Sequence, residues 1–194
     1  MDIDVKRKKN LTYAVVKNVY TAAELKRIKK EFSVFEYVGP EKTDAAVDNG
    51  AYLKDGDGAW VDSHYKDNRQ SSALLTANRV LFSPELTNAL EEADVFYGQL
   101  KKTNFDNTLL NKYSSGKEYK PHVDDSLISA VTFFKTGQII SGGEFVFPEQ
   151  KIKIPLEDNT MVVFPGLALH GALPFKGRGK RYSMAQFAYI TNNK

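Results

Sequence analysis

Cysteine does not occur anywhere in this 194-residue chain. Its absence excludes disulfides and thiolate metal sites, and it fits a reducing compartment. Long apolar runs are missing too, so no segment is expected to span a membrane and no membrane partner is expected. The opening MDIDVKRKKN carries charge with no apolar segment behind it, so no secretory leader is expected and a cytoplasmic location is the default. A strong charge of either sign is also lacking. The net value of +3 is too small to point to a nucleic-acid partner. Lys6-Arg7-Lys8-Lys9 is the sole basic cluster, expected to be a solvated terminal arm. Histidine is scarce, with only His64, His122 and His170 present. There is no internal repeat.

What is present supports one domain over residues 1–194, since 42% hydrophobic content at this length fills a proper core. Leu11 to Val19 has strand texture. Thr21 with Glu24 has the capping-box form, predicting a helix over Ala22 to Phe32 with Leu25, Ile28 and Phe32 facing the core. Residues 39–68 are rich in Gly, Asp and Lys, predicting a long loop that is either a mobile flap or a solvent-exposed insertion. Within it, Asp55-Gly56-Asp57-Gly58 suggests a calcium loop, but Lys66 stands where an EF-hand needs glutamate, so calcium is rejected. His64 is read as a surface residue. Ser83-Pro84 opens a second helix expected to reach Leu100. Beyond Asn104, short apolar stretches recur at Thr108–Tyr113, Ile128–Phe134, Glu144–Phe147, Ile152–Ile154, Met161–Phe164 and Tyr182–Ile190. The fold class is therefore α+β and mainly β. Residues 1–105 hold the strand, helices and flap, and 106–194 form an antiparallel barrel or sandwich.

The chemistry concentrates at His122 and Asp124. Positions i and i+2 of a strand share a face, so one imidazole and one carboxylate converge. Only His170 follows them. Two imidazoles and one carboxylate on one side of a metal leave the opposite positions open, the ligand set of non-haem Fe(II) oxygenases. Taken alone, His-x-Asp is common and His170 fits a core histidine equally well. The flanking residues change this. Tyr113, Gly116, Tyr119 and Pro121 precede the pair. Gly142-Gly143-Glu144, Phe147-Pro148, Phe164-Pro165-Gly166, His170 and Gly179-Lys180-Arg181-Tyr182-Ser183 follow in order. This ordered set resembles the Fe(II)- and 2-oxoglutarate-dependent oxygenases of the prolyl 4-hydroxylase-like branch, from about Leu109 to Tyr189.

The resemblance implies a double-stranded β-helix (jelly roll) core, which brings His170 beside His122 and Asp124. It implies Fe(II) on those three residues, 2-oxoglutarate as cosubstrate, O2, and ascorbate as an accompanying reductant. Arg181 and Ser183, i and i+2 on an expected strand, can both reach the far carboxylate of 2-oxoglutarate. The same stretch, KGRGKR, reads otherwise as an exposed basic turn. Lys180 is the alternative anchor, at the distance from His170 where collagen-type relatives carry lysine. Arg181 is favoured because it begins Arg-x-Ser, follows Gly179 by two residues, and has Phe187 where relatives carry a strand aromatic. Tyr113 is expected to contact the cosubstrate and Tyr119 to be a packing residue. Thr132 is the one hydroxyl near the place where some relatives supply a tyrosine. Gly142 and Gly143 are expected to be structural. The implied activity is hydroxylation of a C–H bond, with a prolyl residue in a peptide or protein as first-choice substrate. A free amino acid or small metabolite is the alternative, and a metal-binding jelly roll without turnover is a third possibility. Oligomeric state is not legible.

Overall fold

The four basic residues near the N-terminus, expected as a solvated arm, belong instead to a strand and its turn. A computed structural model describes residues 1–66 and 68–191, and in it β1 (Asp2–Lys8) pairs antiparallel with β2 (Leu11–Lys17). Ile3 and Val5 pack inward, while Lys6, Arg7, Lys8 and Lys9 stay exposed. A charged edge of this kind discourages pairing with other chains. Next comes α1 (Ala22–Glu31), with both halves of the Thr21/Glu24 capping box formed. Ile28 and Phe32 are buried and Leu25 packs beside them, although the helix stops one residue early with Phe32 as its cap.

The expected loop over 39–68 is a loop only in part. β3 (Val47–Asp48) and β4 (Ala51–Tyr52) form a hairpin about Asn49-Gly50, both with positive φ, the turn that matches strand twist. Then β5 (Asp57–Trp60) and α2 (Val61–Tyr65) follow. The Asp62 carboxylate fixes α2 by accepting from the Thr108 backbone N–H. A four-residue strand reading DGAW carries no periodicity to detect. Asp67, within that loop, lies outside the described residues. His64 is exposed, as expected.

α3 (Ala73–Ala77) and α4 (Pro84–Ala93) are capped by Ser72 and Ser83. The second expected helix ends at Ala93 rather than Leu100. Asp94 leaves helical geometry and its carboxylate accepts from Phe96 N–H, starting a separate 3-10 segment over Val95–Lys102. No helix among the described residues is long and apolar enough to cross a membrane.

The C-terminal half is a run of strands: β6 (Phe105–Tyr113), β7 (Tyr119–His122), β8 (Ile128–Thr136), β9 (Ile139–Gly142) and β10 (Phe145–Phe147). It continues with β11 (Ile152–Ile154), β12 (Thr160–Pro165), β13 (His170–Ala172), β14 (Phe175–Gly177) and β15 (Lys180–Tyr189). The major sheet has the order β1-β2-β12-β8-β15-β6-β5, and the minor sheet β11-β10-β13-β7. Six of these strands answer to the expected stretches, β11 with its ends unchanged and the other five with one or both ends moved by one to three residues. The short β9, β13 and β14 were not anticipated, and β7 was expected only as the strand carrying His122.

Alternation sorts the layers. Tyr13, Val131, Phe133, Val162 and Phe164 of the major sheet meet Phe145, Phe147 and Ile152 of the minor sheet in one core. Ala14, Val16, Phe134, Met161, Val163 and Met184 point the other way, against the helices. With both faces buried, these strands read as continuous apolar runs. Two packed antiparallel sheets with helices behind the larger one are the jelly-roll arrangement expected from the sequence.

Candidate metal centre and its cavity

On the minor sheet β13 pairs with β7, setting His170 directly opposite His122. Their rings lie 4.3 Å apart between centroids. Asp124 Oδ1 is 3.7 Å from His122 Nε2, and Asp124 Oδ2 is 3.6 Å from His170 Nε2. One donor atom from each of the three residues falls within 4.8 Å of the other two. The local reason differs from the expected one. β7 ends at His122, so Asp124 does not share a strand face with it. The chain bends instead, and Asp124 N–H donates to Gly166 O at 2.9 Å.

Hydrogen bonding commits every other atom of the triad. His122 Nδ1 lies 2.9 Å from Lys120 O, and His170 Nδ1 lies 2.9 Å from Ala168 O. A carbonyl only accepts, so each Nδ1 carries the proton and each Nε2 presents its lone pair. Burial pushes His122 down to about 4, with the neighbouring His170 adding to the effect, and pushes His170 down to about 4 as well. Both rings are neutral at physiological pH. The Asp124 carboxyl is raised by burial, against the Ser129 hydroxyl that donates to Oδ2. Ser126 in turn pairs with Ser129 at 2.7 Å. Two neutral imidazoles and a carboxylate, oriented from behind and converging on one point, fit a divalent first-row ion such as Fe(II).

The triad opens on a cavity of about 450 Å³. Along β15, Arg181, Ser183, Ala185 and Phe187 line it, facing Tyr113, Asn111, Leu109 and Asn107 of β6 in register. Arg181 is wholly buried. Its Nη1 donates to Leu173 O at 2.7 Å, and its guanidinium lies 4.2 Å over the Tyr113 ring. Nε and Nη2 are buried without a protein partner. Those two N–H groups form the side-on fork that pairs with a carboxylate.

The other expected residues divide. Tyr113 and Ser183 are buried in the cavity wall. Tyr119 does more than pack: its ring stacks on His122 at 3.6 Å and its hydroxyl accepts from Ala46 N–H. Lys180 is exposed on the other face of β15 and donates to Ser114 Oγ at 2.6 Å. Thr132 is buried away from the cavity, beside Tyr20 on the helix-covered face of β8, while Val131 and Phe133 line the cavity. Gly142 and Gly143 both have positive φ and a Cβ at either would strike Pro174, Phe175 or Leu156, which makes them structural. Three participants were not anticipated: Ser129 behind Asp124, and Asn111 and Lys54 in the cavity wall. Neither serine nor asparagine in a buried strand, nor one lysine in a Gly/Asp-rich loop, carries a sequence signal.

A family model described as the 2OG-Fe(II) oxygenase superfamily matches residues 108–189. The PKHD-type hydroxylase YbiX of Escherichia fergusonii is 27% identical, across 90% of this chain and 76% of that protein. A PKHD-type hydroxylase of Xanthomonas campestris is 25% identical with the same coverage. Among solved structures, a Pseudomonas putida prolyl-4-hydroxylase superposes with a TM-score of 0.62 at 13% identity, covering 93% of each chain. A Trichoplax adhaerens prolyl hydroxylase, in complex with a hypoxia inducible factor peptide fragment, gives 0.60 at 13% identity, covering 92% of this chain and 83% of that one.

Proposed function

We propose that this chain is a 2OG-Fe(II) oxygenase of the prolyl-hydroxylase-like kind, the superfamily whose model matches residues 108–189, and that it hydroxylates prolyl residues of a peptide or protein. Fe(II), 2-oxoglutarate and O2 are its cofactor and cosubstrates. The observation that supports the site assignment best is Arg181: an orphaned guanidinium edge, wholly buried, on the same cavity as the triad.

In this reading His122, Asp124 and His170 hold the iron, and Arg181 takes the far carboxylate of 2-oxoglutarate. Bound there, the iron and its cosubstrate supply the oxidising power that hydroxylates a C–H bond while 2-oxoglutarate is cleaved to succinate and CO2. The chain's own part is positioning and exclusion. The Lys120 and Ala168 carbonyls hold the imidazoles in the ligating tautomer, and Ser129 aims Asp124. Tyr113, stacked on the guanidinium, keeps Arg181 pointed into the cavity. Ser183, one inward position along the strand, offers a hydroxyl to the same acid. Lys180, turned outward, takes no part.

The peptide reading is supported by the hairpin beside the cavity. Val47 and Tyr52 are cross-strand partners, both exposed, and the hairpin begins one residue after the cavity-lining Ala46. Val123, between the two ligands, adds an exposed apolar side chain to the cavity wall. Closure of the Val47–Tyr52 hairpin over a bound peptide would exclude water. Residues 106–194 act as the catalytic core of a single domain flanked by 1–105, ascorbate serves as reductant, and the cysteine-free chain suits a cytoplasmic setting. Incubating iron-loaded protein with 2-oxoglutarate and proline-containing peptides should give succinate together with a 16 Da gain on prolyl residues. Turnover confined to free amino acids would overturn the peptide assignment.

A further inference from the structure

Lys54 is a buried cation without an acidic partner. Its side chain is 1% exposed yet lines the cavity. Nζ donates to Thr43 Oγ1 at 2.7 Å and to Asn111 Oδ1 at 2.9 Å, which leaves one N–H of the ammonium uncommitted. Asp57 and Glu41 influence it through space only, and it forms no ion pair among the described residues. The position is built for it. A Cβ on Gly58 would stand 3.0 Å from Nζ, so glycine there vacates the volume the ammonium fills. Burial lowers Lys54 to about 8, which still leaves it protonated at neutral pH.

The strand register locates it. Arg181–Tyr113, Ser183–Asn111, Ala185–Leu109 and Phe187–Asn107 are successive cavity-facing pairs, about 7 Å apart. Asp124 belongs to the far end, because Ser129, which holds it, pairs with Phe187. Lys54, bonded to Asn111, sits one pair in from Arg181 on the way to the triad. Its backbone also bridges to Tyr119, whose ring stacks on His122. A molecule reaching from Arg181 to the metal ligands passes Lys54.

We propose that Lys54 is a second carboxylate-recognition residue, a positioning group that receives the metal-side carboxylate of the dicarboxylate whose other end rests on Arg181. Leaving a desolvated ammonium with only neutral acceptors is costly, and an anion arriving in the cavity removes that cost. The cavity thereby selects an acid charged at both ends. This rests on the 2-oxoglutarate reading above and extends it from one anchoring cation to two.

The test uses metal-free protein, so that the lysine is examined without iron. Trp60, the only tryptophan, lines the cavity and reports binding through its fluorescence. The two probes are 2-oxoglutarate and 4-oxopentanoate, which keeps the far carboxylate and the ketone but has a methyl group in place of the second carboxylate. Wild type should bind 2-oxoglutarate at least about tenfold more tightly, the worth of one charge-assisted hydrogen bond. Equal affinity in wild type would overturn the proposal without any variant. Lys54→Met should erase the preference by weakening 2-oxoglutarate alone, Lys54→Arg should restore part of it, and the thermal midpoint of Lys54→Met should equal or exceed wild type. Equal weakening of both acids, or of neither, would assign Lys54 a purely structural role. Arg181→Met should lose both acids; if it still binds both, the oxygenase reading of the anchor fails, whatever Lys54 does.

Discussion

Replacing Arg181 with methionine separates a residue that serves the fold from one that serves a ligand. The substitution keeps the length of the side chain and removes its charge. In wild type the guanidinium makes one short hydrogen bond, 2.7 Å to Leu173 O, and one long one, 3.5 Å to Gly143 O, and leaves Nε and Nη2 buried and unpaired. Losing a bond from a charged donor costs about 1.5–3 kcal/mol and losing the stacking on the Tyr113 ring a further ~0.5–2 kcal/mol, while relieving two desolvated N–H groups returns about 1–3 kcal/mol each. The terms nearly cancel, so ligand-free Arg181→Met should melt within about 5 °C of wild type, at about 2–4 °C per kcal/mol for a chain of this size. That is unusual for a fully buried charge. With 2-oxoglutarate the outcomes diverge. A hundredfold excess over Kd stabilises wild type by about 2.7 kcal/mol, raising its midpoint by about 5–10 °C. Two charge-assisted bonds of about 1.5–3 kcal/mol each are lost in the variant, which lowers affinity at least about a hundredfold and removes the shift. Thermal melting of Mn(II)-loaded protein, with and without 2-oxoglutarate, reads both effects. A variant that keeps the ligand-induced shift, or that melts more than about 10 °C lower without ligand, refutes the reasoning.

Ser129→Ala should lower Co(II) affinity about 10- to 100-fold by freeing Asp124, with little change in melting; titration with unchanged affinity would contradict the role given to Ser129. The metal-free protein should lose stability on acidification. Burial holds His122 and His170 at about 4 in the folded chain against an ordinary 6.5. Between those values the unfolded state takes up protons that the folded state does not, so stability is complete above pH 6.5 and falls toward pH 4. Asp124, raised by burial, offsets part of the loss. Urea unfolding across this range should therefore slope downward toward acid. His170→Phe, which fits among Phe145 and Phe164, should flatten the slope; a flat wild-type profile would be inconsistent with neutral buried imidazoles. Proteolytic cutting within residues 47–52 should slow once metal, 2-oxoglutarate and peptide are all bound, and unchanged cutting would count against closure of the hairpin.

What the chain disclosed about itself follows from where its polar residues sit. Arg181 and Ser183 could be placed on one face because two polar side chains in an apolar strand mark its phase. Thr132 could not, because β8 is buried on both faces and its pattern does not say which side looks into the cavity. The triad was legible because histidine is so scarce, yet the reason for its convergence was not. The bend that brings Asp124 round depends on Gly166 and Ser129, which only the folded chain puts beside it. The capping box of α1 was visible because it is local. The break at Asp94 was not, since its side chain merely starts a new helical segment at Phe96. Lys54 lies in a stretch whose composition suggested loop and solvent. Only the folded chain, which bridges Lys54 to Tyr119 and sets Asn111 within its reach, turns that lysine inward.

The central claim is that His122, Asp124 and His170 hold Fe(II) while Arg181 anchors 2-oxoglutarate against it. Anaerobic titration of metal-free protein with Fe(II) and 2-oxoglutarate tests this directly through the visible metal-to-ligand charge-transfer band. The account predicts a band in wild type that is absent in His122→Ala and in Arg181→Ala. A folded wild-type protein that forms no band, or an Arg181→Ala variant that forms it at wild-type affinity, would contradict the account.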